Sequence, residues 1–165
     1  MAGSVSRSSE QAVEQRTQQA PIARSPSVLP SLPVPWVYVV TGGPRHVKIG
    51  ISVDIENRLP QLQTGCPYRV QLVQSWQTRE ARKVESRAHT ALAKYRSMGE
   101  WFGIPAQVAV DAVEIIVQRP DLGVLPAVVF CANCSHSRKM PTPPQSATMR
   151  CSKCGKNDRV HVLTF

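Results

Sequence analysis

The sequence predicts an α+β fold, a small three-stranded antiparallel sheet with flanking helices followed by a four-cysteine ribbon. Three observations carry this. WVYVV (36–40) and VKIGI (47–51) are short β-branched runs separated by the breaker set TGGPRH, the pattern of a hairpin. Residues 78–97 space Ala81, Val84, Ala88, Leu92 and Tyr95 three or four apart, as one buried stripe of a helix does. CANC (131–134) and CSKCG (151–155) place two CxxC turns with sixteen residues between them.

In chain order, residues 1–35 are rich in Ser, Gln, Ala and Pro, with few large apolar side chains, so burial cannot offset the entropy of ordering them; they read as a disordered tail. A domain over 36–120 follows. After the hairpin, Ser52 or Asp54 can cap a helix that runs through Arg58 to about Gln63 and stops at Gly65. Pro60 lies inside it and is expected to shorten or kink it. YRVQLVQSWQ (68–77) supplies the third strand. Thr78 caps the amphipathic helix, which carries Glu85 and His89 four residues apart on one face at the border of the stripe. GEWF (100–102 with Gly99) reads as a turn in which Trp101 and Phe102 seal the core. A last helix spans 105–118, closed by Arg119 and Pro120. Residues 121–130 read as a linker to the ribbon at 131–165.

Lys48 sits among Val47, Ile49 and Ile51, and an ammonium in so apolar a strand either reaches solvent or faces a site. Over the whole chain 20 Lys and Arg outweigh 11 Asp and Glu, giving +9 and a pI near 9.8. Such a balance favours phosphate-rich partners, with nucleic acid, DNA or RNA, as the leading class, and a membrane surface or an acidic protein as alternatives that charge alone does not separate. No unbroken apolar segment of a signal peptide precedes the prolines at 30, 33 and 35, and LGVLPAVVF (122–130) falls far short of the roughly 18 apolar residues of a membrane span. A cytoplasmic protein with no membrane partner is the expectation.

Two CxxC turns bring four thiolates together in the tetrahedral shell that zinc takes in structural sites, which assigns Cys131, Cys134, Cys151 and Cys154 as ligands. A closed four-ligand shell builds structure and leaves no position open for hydrolysis. His136 and His161 are alternative ligands, and Cys66 reads as a plain thiol. Residues 131–165 hold six cationic side chains against Asp158, so Arg138, Lys139, Lys153 and Lys156 are candidate phosphate contacts. A ribbon can equally dock a protein, which leaves an adaptor role open.

From WVYVV through VKIGIS, ENRL with QLQTG, ESRAH and GEWF, the motifs in this order resemble the GIY-YIG nuclease superfamily over about Trp36 to Ile116. The chain looks most like the branch defined from a bacteriophage DNA-binding open reading frame, whose second motif commonly reads KIG. The resemblance implies metal-dependent DNA cleavage, or a non-catalytic DNA-binding module on the same fold. It assigns Tyr38 near the attacking water, Arg58 to the phosphate, and Glu85 to one magnesium or manganese ion. His89 is then expected to touch phosphate or orient Glu85. Lys48 stands where the superfamily often has tyrosine; if it shares a face with Tyr38, its charge draws that phenol toward ionisation and attracts phosphate.

Overall fold

Strands β1 (Trp36–Thr41) and β2 (Val47–Ser52) form the expected antiparallel hairpin, with Tyr38 opposite Gly50 and Val40 opposite Lys48. Its turn closes through the Gly42 amide, which donates to the His46 carbonyl at 2.7 Å, and Gly43 takes a positive φ of 148° that side chains other than glycine rarely adopt. Strand β3 (Gln71–Gln77) pairs on the far side of β1, with a shift of register between Val39 and Val40. Among residues 32–119, 126–144, 149–157 and 159–165, which this computed structural model describes, the sheet is wider than the sequence suggests. The GEWF segment is part of it. Strands β4 (Arg96–Met98) and β5 (Trp101–Phe102) turn at Gly99 and add to β2, giving five strands in the order β3-β1-β2-β5-β4. Runs of two and three residues lie below the length at which alternation can be read, so they escaped the sequence.

Helix α1 (Ile55–Thr64) is capped by Asp54, whose carboxylate accepts from the Asn57 amide at 3.0 Å; Ser52 instead braces the Asp54 backbone. Pro60 does not end the helix, which runs on to the Gly65 cap. Helix α2 (Ala81–Ala91) is shorter than the 78–97 pattern. Thr78 accepts from the Glu80 amide before the helix begins, and a tight 3-10 turn at 93–95 places Tyr95 beyond its end. Helix α3 (Ala106–Gln118) follows Pro105 as expected.

Pleating divides the main sheet into two unlike faces. Val37, Val39, Val47 and Ile49 point one way and pack under Ala81, Val84, Ala88 and Leu92 of α2 and Val108, Val113 and Ile116 of α3. Each fully buried Val or Ile on this face contributes about 1.5–3 kcal/mol. Tyr38, Val40, Lys48 and Gly50 lie on the other face, toward α1.

The expected linker is in part a strand. Residues 120–125 lie outside the described residues, but β6 (Ala127–Cys131) is buried throughout and is the centre of a second antiparallel sheet, between β7 (Ser137–Met140) and β8 (Val160–Leu163). Alternation along AVVFC is hidden because both its faces are covered. Val128, Phe130 and Leu163 of this sheet belong to the same apolar cluster as α2 and α3, so the cysteine-bearing segment shares the core. Asp111 of α3, only 7% exposed, fastens the junction: it accepts from Ser137 Oγ at 2.7 Å and Gln107 Nε2 at 3.0 Å. The tail expected at 1–35 lies outside the described residues up to 31, while the Val34 and Pro35 carbonyls accept from Gln77 and Thr78 at the end of β3.

Candidate functional site

Gly50 is the reason Tyr38 can lie where it does. A Cβ at position 50 would stand 2.5 Å from the Tyr38 hydroxyl oxygen and 2.7 Å from Cζ, so the buried ring crosses the β2 backbone through the space a side chain would fill. From α1, Arg58 reaches the same spot and donates through Nε to the Tyr38 hydroxyl at 3.4 Å, while Nη1 donates to Gln61 at 2.9 Å. The contact with Tyr38, with the Glu100 charge nearby, raises the guanidinium's affinity for its proton.

Lys48 shares this face with Tyr38 but is offset from it by one cross-strand pair. Lys48, only 7% exposed as a residue, donates through its ammonium to Glu100 in the turn between β4 and β5. The cation in contact with Tyr38 is therefore Arg58. Glu100 is the residue that sequence reasoning passed over: the Lys48 hydrogen bond and charge, with His89 and Arg96 behind them, hold its carboxyl below the ordinary range. Only the pairing of Lys48 with Trp101 brings Glu100 there, and no spacing in the sequence signals it.

Strand β5 pairs with β2 only at Val47 and Lys48, which leaves the β2 edge open beyond them. Across that edge lies an open cleft of about 440 Å³ lined by Glu85, His89, Arg96 and Glu100, with Ser86, Thr90 and Ala93. His89 donates through Nε2 to the Ile49 carbonyl at 3.1 Å, which fixes the ring. Phe102 stands edge-on to it at 5.2 Å. Tyr38 and Arg58 on one face and Glu85 and His89 on the other thus flank one sheet edge, with Glu100 between.

The four cysteines form a separate centre. Their Sγ atoms all lie within 4.8 Å of one another, with Cys131–Cys154 at 3.7 Å and Cys134–Cys151 at 3.5 Å. Tetrahedral zinc–sulfur bonds of ~2.3 Å require sulfur separations of about 3.8 Å, so the donors and their spacing fit such an ion. Each knuckle closes alike: the Ser135 amide donates to the Cys131 carbonyl and the Gly155 amide to the Cys151 carbonyl, both at 2.9 Å. Backbone amides of Cys154 and Lys153 lower the Cys151 thiol, whereas burial and the neighbouring Cys151, Cys154 and Cys131 sulfurs push Cys134 up, so the four thiols do not ionise alike. His136 and His161 are outside the cluster, His161 stacking on Phe130 at 5.1 Å. Cys66 is buried against the hairpin turn.

Of the candidate phosphate contacts, Arg138, Lys153 and Lys156 are exposed. Lys139 turns back to α3, donating to Glu114 at 2.5 Å beside Asp111, because β7 alternates Ser137 and Lys139 toward the helix and Arg138 away. No described helix is long and apolar enough to cross a membrane. The family described as the T5orf172 domain matches residues 35–117, about half the chain. Neither the curated proteins nor the solved structures yield a match.

Proposed function

This chain belongs to the T5orf172 domain family, and on that premise we propose that it is a metal-dependent DNA endonuclease of the GIY-YIG type, stabilised by a zinc ribbon. The observation that carries the reading is the Arg58–Tyr38 contact at the open β2 edge, opposite a cleft holding Glu85 and His89. Hydrolysis of a phosphodiester needs a group to orient water, a cation against developing phosphorane charge, and a carboxylate to hold a divalent ion. Tyr38 accepts from Arg58, so its own O–H is left to orient the attacking water. The guanidinium donors not used on Tyr38 and Gln61 meet the phosphate. Glu85, a half-buried carboxylate in a cleft with a second carboxylate, is the hard oxygen donor that suits magnesium or manganese. Such an ion, when bound, supplies Lewis acidity to the phosphate. Arg138, Lys153 and Lys156 extend the contact to flanking DNA.

Incubating the protein with labelled DNA and magnesium or manganese tests this. Arg58→Ala and Glu85→Ala should each lower cleavage at least about 100-fold, the scale of losing one preorganised charge-stabilising group, while zinc content stays at one per chain. One observation favours a binding-only module: Lys48 is held by Glu100, away from Tyr38. Absence of cleavage by the unaltered protein with either metal would decide for that module. Metal analysis finding well under one zinc per reduced chain would remove the ribbon from the reading.

A further inference from the structure

Beyond the Tyr38 pair, the same sheet face ends in an aromatic cluster that cleavage does not use. His46 closes the hairpin turn and lies flat on the Trp101 indole, with ring centres 4.2 Å apart and planes within 7°. Tyr68 stands edge-on to His46 at 6.0 Å and 68°. It is 60% exposed, on a segment where apolar burial cannot account for an aromatic.

Exposed as it is, Tyr68 is held in place. Gln63 of α1 donates to the carbonyls of Cys66 at 3.2 Å and Tyr68 at 3.0 Å, and accepts from the Val70 amide at 2.9 Å, bracing the backbone on both sides of the ring. Gly42 lets Cys66 and His46 close in beneath: a Cβ there would meet Cys66 Sγ at 3.0 Å and His46 Cδ2 at 3.2 Å. Charge accompanies the rings, since Arg45 precedes His46 and the exposed Arg69 follows Tyr68. Arg45 itself donates to the Ala132 carbonyl in the first cysteine knuckle.

The geometry points to Tyr68 as a stacking platform for an unpaired nucleobase, which makes the preferred substrate DNA with a single-stranded segment beside the scissile phosphate. This rests on the DNA-cleaving reading above. Paired bases hide their faces in the stack, whereas an unpaired base presents a face that a fixed, exposed ring can cover. Gly42, which bonds to His46, lies four positions after Tyr38 and just past the end of β1, roughly 14 Å at the rise of a strand, so the platform serves a base a few nucleotides from the reacting phosphate. Arg69 supplies charge for the intervening backbone.

The test uses the full chain, without added magnesium and at one salt concentration, on two probes carrying 2-aminopurine: a duplex with a single-stranded overhang and a fully paired duplex. Stacking predicts tighter binding and fluorescence quenching on the overhang. Tyr68→Ala should weaken overhang binding about tenfold, leave the paired duplex within about twofold and abolish the quenching, while Tyr68→Phe keeps all three. Unchanged thermal melting of both variants shows that the fold is intact. If Tyr68→Ala binds both probes as the unaltered protein does, or loses both equally, the platform is refuted while DNA binding stands. If the unaltered protein binds neither probe, the DNA reading and the platform fall together.

Discussion

The cysteine centre and the Tyr38 face are held together in opposite ways. Each cysteine knuckle is closed by backbone hydrogen bonds spanning four or five residues, from Cys131 to Ser135 and His136 and from Cys151 to Gly155 and Lys156. The Tyr38 face draws Tyr38 from β1, Lys48 from β2, Arg58 from α1 and Glu100 from a turn, joined by two side-chain contacts. The first can hold an ion, such as the proposed zinc, that would offset the repulsion of gathered thiolates; the second needs only the sheet to keep its register. A fault in the first should therefore appear as lost metal, and a fault in the second as a misplaced side chain in a chain that still binds metal.

The largest effect comes from breaking the metal centre. Cys151→Ser should release zinc, and because Phe130, Val128 and Leu163 are packed with α2 and α3, the damage should not stop at residue 131. Loss of ordered packing around Phe130 alone corresponds to about 3–5 kcal/mol. A chain-wide fall in stability of that size is expected, with hydrogen exchange accelerating in α3 as well as in β6. Unchanged protection of Ala106–Gln118 in the metal-free protein would show that the ribbon melts alone, as the sequence by itself suggests.

Gly50→Ala attacks the other site. The new methyl collides with the buried Tyr38 ring, which cannot move into the β-sheet it crosses, so a cost of about 1–3 kcal/mol is expected from overpacking. Tyr38 and Arg58 should separate, and the proposed cleavage should fall with them. Zinc stoichiometry should stay at one per chain. Denaturant midpoint and metal content measured on the same sample separate the two sites; a variant as stable as the original would mean that Tyr38 does not lie across Gly50.

This contrast also explains what the sequence made legible. The four cysteines could be named from spacing alone, because the chemistry is written within two tetrapeptides. The hairpin, Arg58 on α1 and the Glu85–His89 pair on α2 were readable from short periodic segments. Glu100 was not, since its place depends on a two-residue strand pairing with Lys48 and Trp101. Nor was the inward turn of Lys139, which follows from the packing of β7 on α3 and has no counterpart in local charge. The shared core was hidden for a related reason: β6 is apolar on both faces, and such a run has no period that separates a strand from a greasy linker.

The smallest expected effect sharpens the comparison inside the metal centre. The two knuckles match in their hydrogen bonds, yet the residue after each CxxC differs: Ser135 has φ of 59° and Gly155 has φ of 73°. A left-handed backbone costs a side-chain-bearing residue roughly 1–2 kcal/mol and glycine almost nothing. Glycine's greater freedom in the unfolded chain takes back about 0.4–1 kcal/mol, so Ser135→Gly should gain a net of about 0.5–1 kcal/mol. Gly155→Ser should lose a similar amount through backbone strain alone, because a Cβ at 155 meets no atom within 4 Å. If the knuckles form with the proposed zinc, both differences should appear in zinc affinity, as a gain and a loss of about two- to fivefold in chelator competition. Weaker zinc binding by Ser135→Gly would mean that the serine hydroxyl supports its knuckle, and the two turns would then be alike in backbone only.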